Sequence, residues 1–143
     1  PPQLGRHFLF TPINLTSEMI TFRKLNSSTR AILIIQAIAM LMETSTHMAW
    51  AVNNGFLSEN YNAPLPNMIF WDSLTFLDPI AALLLFIRPK TGLILTLIII
   101  LADVTHNNIY YFEELYTTRL GLTEWITKYW MILGQILFAV FAS

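Results

Sequence analysis

Apolar residues in this chain fall into long unbroken blocks, with neither the strict alternation of a strand nor the single stripe of a surface helix. Four blocks stand out, at residues 31–52, 68–87, 92–112 and 122–142. A helix crossing the hydrocarbon core needs ~20 mainly apolar residues. Lipid offers no partner to open backbone groups, so such runs fold as helices. The pattern therefore predicts an all-α fold, a four-helix transmembrane bundle spanning 31–143, preceded by a short N-terminal interfacial segment at 1–30. That first segment mixes Phe, Leu, Ile and Met with Thr, Ser, Glu, Arg and Lys and has no spanning run. Thr11-Pro12 suits a short helix start, with Thr16 or Ser17 as a cap. The first apolar run begins too far along for a secretory signal peptide.

The connections add an orientation. Residues 53–67 form a Gly/Pro/Asn-rich loop with one acid and no base, whereas Arg88-Pro89-Lys90-Thr91 is a tight basic turn. Arg6, Arg23, Lys24 and Arg30 precede the first span, and Glu113, Glu114 and Arg119 lie between the third and fourth. Basic residues stay on the cytoplasmic side, so a multi-pass integral membrane protein with cytoplasmic N- and C-termini is expected. Trp50, Trp71, Tyr110, Tyr111, Trp125 and Tyr129 then gather near the opposite face, where an aromatic belt belongs. Asn14-Leu15-Thr16 and Asn26-Ser27-Ser28 match the glycosylation pattern but fall on the expected cytoplasmic side.

Composition narrows the chemistry. Hydrophobic residues make up 55 % and charged residues 12 %, against ~25 % charged in soluble domains. A net charge of −1 gives no basic face for nucleic acid. The absence of cysteine removes disulfides, thiolate nucleophiles and Cys-ligated metals.

Against this background the polar residues inside the spans are conspicuous. Ionisable groups at membrane depth cost roughly 2.5–3.5 kcal/mol each on insertion scales and default to a functional reading. With ~1.5 Å rise per residue, Glu43, Asp78, Asp103 and Gln135 come near mid-membrane. His47, Asp72, His106 and Asn107 lie about one turn further out. Glu43 and His47 are spaced i, i+4, and Asp103 and His106 i, i+3, so each pair shares a helix face. Asp78 precedes Pro79, which frees a carbonyl and can kink the second helix. One shared cavity in the outer half is expected, with Glu43, His47, Asp103 and His106 in catalytic roles. Asp72, Asp78, Asn107, Gln135, Trp50 and Trp71 are the ligand-binding candidates. Plainer roles are open for some of these groups: a helix cap for Asp72, an interhelical bond for Gln36, and a surface i, i+4 pair for Glu124 and Lys128 with the lysine reaching the headgroups.

Three chemistries use such a cluster. Buried acids and bases without a cofactor can move protons on an apolar substrate, a membrane lipid or another small hydrophobic molecule. Alternatively, Glu43, His47, Asp103 and His106 ligate zinc or iron, or His47 and His106 ligate haem. A chain of acids and histidines also suits an ion path in an oligomeric channel or signalling subunit, a homo-oligomer included. The nearly apolar stretches 80–87 and 92–101 argue for a pocket closed at its inner end.

The acid–histidine pair on the first span, the long polar loop, Asp78-Pro79 leading to the basic Arg88-Pro89-Lys90 turn, and Trp125, Tyr129 and Gln135 in the fourth span together resemble the EXPERA group, the emopamil-binding sterol isomerase and sigma-2 receptor-like membrane proteins. The resemblance covers residues 31–142. It implies a four-helix cavity for sterols or cationic amphiphiles, with Glu43 and His47 as acid and base and Gln135 where the family has an asparagine.

Overall fold

The computed structural model describes residues 22–111 and 120–143. Four long helices account for most of them: α1 (Ser27–Asn54), α2 (Leu65–Ile87), α3 (Pro89–Tyr110) and α4 (Leu122–Ala142). All four are long and apolar enough to cross a membrane. Their outward faces carry large hydrophobic side chains such as Ile94, Leu83, Leu137 and Val140, as lipid contact requires. The chain is a multi-pass membrane protein with an all-α, four-helix bundle fold. Most of the expected interfacial segment, and Glu113, Glu114 and Arg119, lie outside the described residues.

Helix limits follow local chemistry rather than hydropathy. α1 starts before the apolar run because Asn26 caps it, its Oδ1 accepting from the Thr29 amide at 2.7 Å. The Asn26-Ser27-Ser28 triplet thus has a structural use. α1 ends at Gly55, whose φ of 86° no β-carbon would tolerate well. α2 runs unbroken through Pro79 to Ile87, and Pro89 opens α3 at once, since a proline is tolerated in a first turn. The backbone departs from helical geometry inside α4, at Tyr129 (φ −115°, ψ 19°), a site with neither proline nor glycine.

α2 is the central element, with Leu74, Ala81, Ala82 and Leu85 buried against Leu33, Ala37 and Met40 of α1 and Ile99 of α3. Gly92 faces the backbone of Leu84 and Leu85 so closely that a β-carbon there would collide with it. That contact draws the α2–α3 hairpin together. α4 packs on α3 through Ile100, Ala139 and Ala142 and barely touches α1. The bundle is therefore a three-helix body with a fourth helix attached along one side, leaving a seam between α1 and α4.

Ten residues separate α1 from α2, and this loop folds back over their outer ends. A short 3₁₀ turn at Glu59–Tyr61 and left-handed backbone at Leu57 and Asn62 shape it.

Candidate functional site

The loop is held by a side chain expected to meet a ligand. Asp72 accepts from the Leu57 amide at 2.6 Å and from the Tyr61 hydroxyl at 2.7 Å. Both carboxylate oxygens are committed, so Asp72 clamps the loop to α2. It does not cap its own helix. Tyr110 adds a second tie, donating to the Asn62 carbonyl at 3.1 Å. Burial, the bond to Asp72 and that carboxylate's charge push the Tyr61 phenol above its ordinary pKa. Trp50 also belongs to this roof: its ring lies 4.8 Å from that of Tyr61, which in turn stacks on Trp71 at 5.4 Å.

Beneath the roof, α1, α2, α3 and α4 line a half-open cavity of about 290 Å³. Glu43, Thr46 and His47 line it from α1, Trp71 from α2, Asn107 from α3, and Lys128, Tyr129 and Gln135 from α4. Five of the ten sequence candidates therefore share one space: Glu43, His47, Trp71, Asn107 and Gln135. The spacing of Glu43 and His47 puts both on the same wall, as i, i+4 residues must be.

A closed set of amide bonds supports this wall. Trp71 Nε1 donates to Asn107 Oδ1 at 2.9 Å, and Asn107 Nδ2 donates to both Asp103 Oδ1 and Gln135 Oε1 at 3.0 Å. Gln135 Nε2 donates to the other Asp103 oxygen. Asp103 stands behind the amides and fixes their orientation while linking α3 to α4. Glu43 is set against Gln135. In contrast, His47 Nε2 and the Tyr129 hydroxyl are buried, line the cavity and have no hydrogen-bond partner.

The remaining candidates lie elsewhere. His106 stacks on Phe70 with ring centroids 4.2 Å apart and meets the edge of Trp71 at 5.4 Å, which turns it away from the cavity lining. Asp78 is buried deeper along α2 with neither oxygen bonded. Among the described residues no three His, Asp or Glu side chains converge as a metal set. The Glu43, His47, Asp103 and His106 quartet is split between the cavity wall, the scaffold behind it and an aromatic stack.

Lys128 and Tyr129 were not among the sequence candidates for the site. Lys128 lines the cavity with its ammonium 5.5 Å above the Tyr129 ring, whereas Glu124 accepts from the Gly121 amide at the helix start. The departure from helical geometry at Tyr129 sets where both side chains point, and no residue type announces it.

A second, more apolar cavity of about 280 Å³ occupies the α1–α4 seam between Ala39, Met42, Trp130, Gly134 and Phe138. Glu43, Thr46 and Met131 line both spaces. Gly134 has no atom within 4 Å of where its β-carbon would be, so nothing fills the seam at that height. Polar and apolar compartments thus share one wall, and the apolar one faces the bilayer.

No protein-family model, curated protein or solved structure matches this chain.

Proposed function

We propose that this protein binds a small amphipathic molecule drawn from the bilayer. Its apolar body lies in the α1–α4 seam and its polar head in the inner cavity. The observation that carries this reading is the pair of buried, unpartnered atoms on the lining, His47 Nε2 and the Tyr129 hydroxyl. Buried polar groups in folded proteins are almost always bonded, so these two await a hydroxyl or amine head group. Glu43 offers a third contact at the boundary of the two spaces. Their combined size falls within the ~300–1,000 Å³ of small-molecule sites. The positive-inside pattern supports a site in the half of the membrane away from the cytoplasm.

The finer part of the proposal is acid–base conversion, the activity that the resemblance to the EXPERA group implies. Glu43 and His47, one turn apart, can deliver a proton to one alkene carbon, leaving positive charge on the other, and remove a proton from the allylic carbon beyond it. The double bond moves, with no redox change and no cofactor.

Native mass spectrometry of the full chain from lipid nanodiscs is the test. Wild type is expected to retain a lipid or sterol adduct, with about tenfold weaker retention for His47→Ala or Tyr129→Phe. Equal retention by all three proteins would overturn the binding reading. Conversion is checked with an unsaturated sterol in D₂O: deuterium appears in the product of wild type and not of Glu43→Gln.

A further inference from the structure

Below the cavity the bundle holds a group of oxygens that the binding reading does not use. Asp78 and Thr75 are each 1 % exposed, and Asp78 Oδ1, Asp78 Oδ2 and Thr75 Oγ1 have no hydrogen-bond partner. Spaced i, i+3, the two residues face the same way on α2. Pro79 lies inside the helix and has no N–H, so the Thr75 carbonyl lacks its α-helical donor. One short segment therefore presents a carboxylate, a hydroxyl and a released carbonyl, all oxygen and all in the protein interior.

No donor lies within hydrogen-bond distance of these side-chain oxygens. Glu43 of α1 and Asp103 of α3 are the charged groups within electrostatic reach of Asp78, and both are acids. Asp103 is already satisfied by Asn107 and Gln135. The α2–α3 register runs from Gly92 beside Leu85 to Asn107 bonded to Trp71. It puts Asp103 about level with Thr75, and Thr96 about level with Ala81, nearly two turns further in. Thr96 Oγ1 and Gln36 Oε1 are also buried and unpartnered.

We propose that Thr75 and Asp78 hold a monovalent cation of sodium size beneath the cavity. Hard cations take oxygen ligands, and in transporters released helix carbonyls serve this purpose at membrane depth. One carboxylate balances one positive charge. A divalent ion needs a richer acidic set, and none converges among the described residues. Water from the cavity completes the shell. Because Glu43 lies both on the cavity wall and within reach of Asp78, cation occupancy and the field at the cavity are linked.

The test uses the full chain in nanodiscs, with thermal unfolding and sodium-23 NMR in NaCl and in choline chloride at equal ionic strength. Sodium should raise the wild-type midpoint by ~5 °C and broaden the sodium resonance, with both effects absent in Asp78→Asn. Since Asn has the shape of Asp and no charge to bury, that variant is expected to keep wild-type helicity. Thr75→Val, which keeps the carboxylate, should weaken the sodium response about tenfold. Equal wild-type midpoints in the two salts, or an undiminished sodium shift in Asp78→Asn, would overturn the site. So would a carboxylic-acid infrared band, lost in Asp78→Asn, that persists in wild type at saturating sodium, since the occupant would then be a proton.

Discussion

Asp72 shows how a single carboxylate in a membrane protein can tie a loop to a helix. Its two oxygens hold a loop amide and a tyrosine hydroxyl, at 2.6 and 2.7 Å, at a site only 6 % exposed. Hydrogen bonds to a charged group contribute ~1.5–3 kcal/mol each. Asp72→Ala is therefore expected to lower stability by about 3 kcal/mol, measured as unfolding of the detergent-solubilised chain. The partner tyrosine has a pH signature. Its folded pKa is raised, so its stabilising effect is complete below the ordinary phenol value of 10.0 and is lost as pH climbs above that. Stability should fall on raising the pH past that point, and Tyr61→Phe should flatten the decline. From the sequence, Asp72 was legible only as a polar group near a helix start. Its partners depend on left-handed backbone at Leu57 and Asn62, positions that no glycine marks.

At the scale of elements, the helices were readable because each span needs a long apolar block and little else fits one. Which way each helix faces was less readable. In a membrane the lipid side and the packed side are both apolar, so the usual polar-out contrast vanishes. Polar side chains are the remaining signal, and it worked where two shared a turn, as with Glu43 and His47. It misled for His106, whose ring finds the aromatic face of Phe70 and Trp71 instead. It missed Tyr129, where α4 leaves helical geometry. Gly92 is the element-scale counterpart of a clamp. A β-carbon there meets the α2 backbone, which cannot swing aside like a flexible side chain. Gly92→Ala should cost ~1–3 kcal/mol through overpacking. Gly134→Ala, with open space around it, should be near neutral in the same unfolding assay.

For the molecule as a whole, the expected orientation rests on the contrast between the basic Arg88-Pro89-Lys90 turn and the base-free loop at 53–67. These 143 residues contain no cysteine, so single cysteines introduced here report without background from this chain. In intact cells a membrane-impermeant maleimide should label Ser58→Cys and leave Thr91→Cys unlabelled until the membrane is opened. The reverse pattern would invert the topology and move the cavity to the cytoplasmic half.

The loose attachment of α4 also bears on biogenesis. This helix leaves the ribosome after the other three and rests mainly on α3. A nascent chain stopped at α3 presents Glu43, Asp103 and Asn107 to hydrocarbon with no Gln135 to meet them. Arrival of the fourth helix thus both quiets those polar groups and completes the chamber that Glu43 and Asn107 line.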